Sequence, residues 1–251
     1  MAVAAVQAAS QAALQARSRP LRPRAKSVAA DLVTEADAVA ERAAADAIAR
    51  HRPDDAILGE EGTRTEGTRR QGVPERGSGL GAGRRWLIDA IDGTVAFAGG
   101  LPGWCSAVAL EDEKGAAVAA VLDAGTGEIH TAVRGRPQRT IRAPRPLDQA
   151  HVATFFRQDR LVLPGVREVA HRLLDAAGLL RHAGPGTLEL AWVAAGRLDA
   201  WIQPDTDPWD WLPGALLVVE AGGVAMTVEA GVRWHIAGPS GLVEELAGLL
   251  R

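Results

Sequence analysis

Much of what usually marks a protein's class is missing from this chain of 251 residues. It has one cysteine, Cys105. That excludes a disulfide framework and a cysteine-ligated zinc site, and it suits a reducing, cytoplasmic setting. Lysine is scarce: of 28 basic residues only Lys26 and Lys114 are lysine. The matching excess of Ala, Gly and Arg reads as coding bias from a GC-rich genome, and a lysine that persists against it, Lys26, draws attention. The net charge of -3 leaves no basic footprint for nucleic acid and no acidic tail. Long apolar runs are lacking too. The opening MAVAAVQAASQAALQARSRP is broken by Gln and Ser and has no basic leader, so it reads as an amphipathic helix, not a signal peptide or membrane span. The six histidines are scattered without ligand spacing, and there are no repeats.

What is present is ordinary globular material, 47% hydrophobic and 24% charged, enough for one large core or two small ones. Helices are expected over 1–17 and 35–50, the second capped by Thr34 with Val39, Ala43 and Ala47 at helical spacing. AILGEEG (56–62) is a short strand running into two acids, and 63–85, rich in Gly, Arg, Thr and Glu, is a loop. RRWLIDAID is a strand. GWCSAVALED, AAVAAVLDA and EIHTAV follow as an antiparallel meander. The Pro- and Arg-rich stretch 134–148 is the best internal boundary. It divides an α+β half, 1–140, carrying most candidate metal ligands, from an α/β half, 141–251, that completes the site within one layered fold. In the second half PGVREVAHRLLDAAG, TLELAWVAAG, PWDWLPGALLVVEAGG and PSGLVEELAGLL read as helices, and RLDAWIQ, GVAMTV and WHIAG as strands.

Four acids end apolar elements: Glu60, Asp89, Asp92 and Asp210. Burying a carboxylate is costly unless it is paired or bound to a metal. Carboxylates without His or Cys favour a hard cation, Mg²⁺ first, and paired ions suit in-line phosphoryl displacement. WLIDAIDGTVAF (86–97) condenses the idea: Asp89 at a strand end, Asp92 in the turn, the Ile91 carbonyl aimed at the same ion, Gly93 for a tight backbone, and Thr94 opening a short helix. A lone D-x-x-D is more often a solvated turn; here the flanks are buried-strand apolar. The D-x-D-G-T of haloacid-dehalogenase phosphatases does not fit, because Ala90 occupies the nucleophile position. Asp37 also completes a T-x-x-D capping box with Thr34. Asp207–Pro208 is a better helix cap than Asp210, which falls one turn further in.

In order along the chain, AKSVAADLVTEAD (25–37), GEEG (59–62), WLIDAIDGTVAF and PWDWLPGALLVVEAGG (208–223) resemble the motifs of the inositol monophosphatase family, and AGPGTLELAWVAAGRLDAW (183–201) resembles its substrate-side helix and strand. The resemblance implies an αβαβα sandwich, a homodimer, and a Mg²⁺-dependent phosphomonoesterase using two or three ions. The metal ligands would be Glu60, Asp89, the Ile91 carbonyl, Asp92 and Asp210. Gly93 and Thr94 would hold the phosphate. Thr94 with Asp37 would activate the attacking water. Glu61 would stand behind the site or assist an additional ion, and Lys26 would lie near it. Asp92, Gly184, Thr187 and Gln203 would meet the substrate, a small polyol or sugar-type phosphate such as inositol monophosphate.

The departures lie mostly on the substrate side. Ala90 replaces a usual proline, Gln203 stands where several relatives carry an acid, and Pro185 removes a backbone donor. Histidinol phosphate, nucleotide and cyclitol phosphates therefore remain rival substrates, LPGWCSAVAL being similar to the histidinol-phosphatase branch. A non-catalytic metal-binding relative is disfavoured because none of the acids is lost.

Overall fold

The computed structural model describes residues 1–18, 24–25, 32–65 and 83–251. Its first two helices are alanine-lined. In α1 (Ala2–Arg17) the buried residues Ala2, Ala5, Val6, Ala9 and Ala13 recur at helical spacing, and in α2 (Glu35–Ala49) Ala36, Ala40, Ala44 and Ile48 do the same. Such small side chains let two helices and a sheet approach closely. The α2 stripe also carries two acids, Asp37 and Glu41, both buried. Thr34 caps α2 in a full capping box with Asp37. Between the helices, β1 (Arg24–Ala25) and β2 (Leu32–Val33) pair antiparallel.

A six-stranded sheet has the order β4-β3-β5-β6-β7-β8. Its strands are β3 (Ala56–Gly59), β4 (Arg64–Thr65), β5 (Arg84–Asp92), β6 (Cys105–Asp112), β7 (Gly115–Asp123) and β8 (Ile129–Val133). β3 and β5 are parallel, β5 pairs antiparallel with β6, and β6 to β8 form the expected antiparallel meander. After β5 comes α3 (Thr94–Ala98). The expected loop 63–85 is in part strand, since β4 pairs with β3 and β5 begins at Arg84; its residues 66–82 lie outside the described residues.

The second sheet has five strands in the order β10-β9-β11-β13-β12. It comprises β9 (His151–Thr154), β10 (Leu179–His182), β11 (Ala200–Pro204), β12 (Val224–Ala230) and β13 (Val232–Gly238). Neither β9 nor β10 is evident in the sequence. Both are four residues long, too short to display a period, and Leu179–His182 comes soon after a helix. The remaining helices are α4 (Gln158–Leu161), α5 (Val166–Ala176), α6 (Gly186–Ala194), α7 (Pro208–Glu220) and α8 (Ser240–Gly248).

Three apolar cores bind these elements into five layers. One joins α1 and α2 to the six-stranded sheet. The second seals α6 and α7 between the two sheets, and the third packs α5 and α8 on the far face of the five-stranded sheet. This is the expected αβαβα order. It brings the C-terminal end of β5 beside the N-terminal ends of α6 and α7. No helix among the described residues is long and apolar enough to cross a membrane.

Candidate active site

The site begins with a fault in β5. Side chains three apart in a regular strand point to opposite faces. Here Asp89 pairs with Ala107 but Asp92 pairs with Cys105, so three steps on β5 face two on β6. That extra residue is a bulge, which bends the strand and re-aims the side chains beyond it. Asp89 and Asp92 are thereby brought together. The bulge is secured on both sides: Asp89 Oδ1 accepts the Ile91 N–H at 3.0 Å, and the Ser106 hydroxyl donates to the Ala90 carbonyl at 2.7 Å.

Gly93 then turns the chain at φ 93°, and a Cβ there would lie 2.8 Å from the Gly103 carbonyl oxygen. Glycine is demanded twice, by conformation and by space.

The third acid comes from the other half of the chain. α7 starts at Pro208 after the Asp207 cap, and Asp210 falls in its first turn. Ligand oxygens of Asp89, Asp92 and Asp210 lie within 4.8 Å of one another. Thr187, buried at the start of α6, fastens the halves together: its N–H donates to Asp92 Oδ2 at 3.0 Å and its hydroxyl to the Asp210 carbonyl at 2.9 Å. Thr187 therefore engages the acid cluster through both its amide and its hydroxyl.

Burial drives the carboxyl of Asp92 up to about 6, partly opposed by its hydrogen bonds from Thr187 and raised further by Glu60. Asp89 and Asp210 are pushed well above the ordinary carboxylate range, first by burial and then by the charges around them, Glu60 included. None of the largest influences on these three acids is a cation. An all-oxygen, acid-only donor set under like-charge strain fits a hard divalent cation, and Mg²⁺ satisfies that chemistry. Asp89, Asp92 and Asp210 would hold it. Glu60 stands outside their 4.8 Å circle but close enough to act on all three electrostatically.

Asp37 contacts both Thr34 and Thr94. Its Oδ2 accepts from the Thr34 N–H at 2.8 Å and from the Thr34 hydroxyl at 2.7 Å, completing the cap. Its Oδ1 lies 3.0 Å from the Thr94 hydroxyl. That hydroxyl is also 3.1 Å from the Ile91 carbonyl, and its single proton can serve one acceptor at a time.

Glu60 and Glu61 lie in the turn after β3, whose Glu61 N–H donates to Glu41 at 2.6 Å. Sequence reasoning passed over Glu41. The available signal was an acid one turn after Asp37 on an otherwise alanine stripe. Gln203 is half-buried on β11 with its Oε1 unpartnered, and that oxygen is 3.2 Å from where a Cβ on Gly186 would sit. Gly184 has φ 62° and packs against Phe155. Cys105 lies 4.0 Å from Asp92 through its sulfur, and burial with the neighbouring acids keeps it a neutral thiol. Lys26 falls outside the described residues.

A five-layered sandwich that gathers acids from both halves at a strand bulge defines a candidate metal site. Comparison with known proteins makes the class specific. Residues 1–249 match the model of the inositol monophosphatase family. The chain is 34% identical over 210 residues to an inositol-1-monophosphatase of Rhizobium meliloti, covering 80% of this chain and 74% of the relative. It is 37% identical over 205 residues to the Nus factor SuhB of Pseudomonas aeruginosa, covering 78% and 72% respectively. Among solved structures, the extragenic suppressor protein SuhB of Bartonella henselae superposes with a TM-score of 0.85 at 25% identity, over 99% of this chain and 96% of that one. The chain belongs to the inositol monophosphatase family, and it is a phosphoric monoester hydrolase.

Proposed function

We propose that the protein is a Mg²⁺-dependent phosphomonoesterase acting on a small polyol or sugar-type phosphate such as inositol monophosphate, with two or three ions in the site. The observation that carries this reading is the convergence of buried Asp89 with half-buried Asp92 and Asp210 within 4.8 Å, beside the Thr94–Asp37 contact. Glu60 and the Ile91 carbonyl complete the ligand set. When bound, the metal supplies Lewis acidity, activating water near neutral pH and stabilising the leaving oxygen.

The protein's own groups do the rest. Thr94 directs its proton to Asp37 at 3.0 Å, which turns a hydroxyl lone pair toward the attacking water. That water passes its proton to Thr94 as Thr94 passes its own to Asp37. Thr34 fixes Asp37 by two hydrogen bonds, so the base does not wander. Thr187 keeps Asp92 and the first turn of α7 in register. The Gly93–Thr94 turn receives the phosphoryl group. On the substrate side, Gln203 offers a neutral oxygen acceptor that suits a hydroxyl of the alcohol portion.

The test is phosphate release with Mg²⁺ across inositol 1-phosphate, histidinol phosphate, sugar phosphates, and nucleoside mono- and bisphosphates. Preference for the polyol or sugar phosphates is expected. Preference for histidinol phosphate or a nucleotide overturns the substrate assignment and leaves the chemistry. Release from none of them by folded protein overturns the phosphomonoesterase reading for this panel.

A further inference from the structure

We propose that Glu41 is a positioning residue that sets the metal affinity of the site by holding the Gly59–Thr63 turn, and through it Glu60, in place. The inference rests on reading Glu60 as a metal ligand.

Two independent features of the turn point to Glu41. The first is hydrogen bonding. Glu41 is 1% exposed, and its two oxygens accept the Glu61 N–H at 2.6 Å and the Thr63 N–H at 2.8 Å. The turn also closes on itself and on β5: Gly59 N–H donates to the Thr63 carbonyl at 2.8 Å, and Glu60 N–H to the Ile88 carbonyl at 3.1 Å. Glu60 is thus gripped on one side by its own amide and on the other through Glu61. The second feature is space. A Cβ on Gly59 would lie 2.1 Å from the Glu41 carboxyl carbon and 2.3–2.4 Å from its oxygens. The backbone of Gly59 is not in the left-handed region, so its conformation does not call for glycine; the Glu41 carboxylate does.

Apolar packing alone would not select this arrangement. A buried carboxylate is costly, and the α2 stripe around it is alanine. A carboxylate is the side chain that accepts two converging N–H groups with no donor of its own. α2 therefore works as a rail. Asp37, one turn earlier, contacts Thr94, and Glu41 contacts the turn that carries Glu60. Groups that orient metal ligands typically set affinity by tenfold or more.

The experiment compares wild type, Glu41→Gln, Gly59→Ala and Glu60→Gln in the full chain. Mg²⁺ binding is read by calorimetry and the amides of Glu61 and Thr63 by hydrogen exchange. Glu41→Gln keeps volume but turns an NH₂ group toward one of the two N–H donors. Gly59→Ala keeps the carboxylate and displaces it, and it stands in if Glu41→Gln fails to fold. The expected result is Mg²⁺ affinity weakened about tenfold in both, with faster exchange at Glu61 and Thr63 and kcat at saturating Mg²⁺ close to wild type. Unchanged Mg²⁺ affinity in Glu41→Gln and Gly59→Ala, with affinity lowered in Glu60→Gln, overturns the inference and leaves Glu60 as a ligand. Unchanged affinity in Glu60→Gln overturns the reading of Glu60 and the inference with it.

Discussion

Replacing Asp92 by asparagine should stabilise the metal-free protein while weakening its response to Mg²⁺. The Asp92 carboxyl stands at about 6 against an ordinary 3.8, chiefly through burial. The sign follows from linkage. A carboxyl raised in the native state binds its proton more tightly there than in the unfolded chain. Below about pH 4 it is protonated in both states and costs nothing. As pH rises through 6 the native state must carry the buried charge, and stability is lost. In full the loss is roughly 3 kcal/mol; partial exposure of Asp92 trims it to about 2 kcal/mol. Asparagine is neutral throughout and keeps an oxygen for the Thr187 N–H, which donates to Asp92 at 3.0 Å. For a chain of this length 2 kcal/mol is about 4–8 °C in Tm. Calorimetry at pH 8 in EDTA should therefore show the variant melting higher by about that much, with the gap narrowing as pH falls and closing only below about pH 4. Adding Mg²⁺ should reverse the order: at a hundredfold excess over Kd the wild type gains about 2.7 kcal/mol, and the variant gains far less. A variant that melts at or below wild type at pH 8 in EDTA, or that gains as much from Mg²⁺, would refute the reasoning.

Other consequences are separately measurable. Mg²⁺ binding should release protons from the acid cluster, whose three carboxyls are all raised, so affinity should climb as pH rises through about 6, the value of Asp92; calorimetry in buffers of different ionisation enthalpy reads this directly, and a pH-independent affinity would contradict it. Gly93→Ala meets both a φ of 93° and the Gly103 carbonyl at 2.8 Å, and should cost about 1–3 kcal/mol or more along with most activity, seen in thermal melts and phosphate release. Glu189 is fully buried and pushed up to about 8 by burial, partly opposed by Arg181 at 3.1 Å. Its raised value favours the folded state at low pH, a benefit lost as pH rises from about 5 through 8. Glu189→Gln should flatten that slope in denaturant titrations, and an unaltered slope would count against it.

The sequence and the structure meet most closely where chemistry forces unusual residues into apolar surroundings. Asp89 and Asp92 in a buried strand, Gly93 after them and Asp210 past its helix start were visible because each violates the local pattern, and the structure brings the three acids together. The meander and the long helices were legible through period. The features that stayed hidden depend on geometry that no period records. The bulge that puts Asp89 and Asp92 on one side is a register shift against β6, seen only in the pairing. β9 and β10 are too brief to declare themselves, and their strand character comes from parallel pairing across the sheet. The pairing of the Thr187 amide with Asp92 and of its hydroxyl with the Asp210 carbonyl depends on α6 and α7 packing side by side in the middle layer. Glu41 went unnoticed because its partners are backbone amides twenty residues away, and backbone donors leave no trace in a sequence.

The central claim is that the acid cluster serves phosphomonoester hydrolysis by holding Mg²⁺. Its most direct test is inorganic phosphate release from the phosphomonoester panel, with Mg²⁺ and with EDTA, by wild type and by Asp89→Asn whose fold has been checked by circular dichroism. The account predicts release by wild type with Mg²⁺ alone, and near silence in EDTA or in the variant. Release that persists in EDTA, or in Asp89→Asn at close to the wild-type rate, would contradict it.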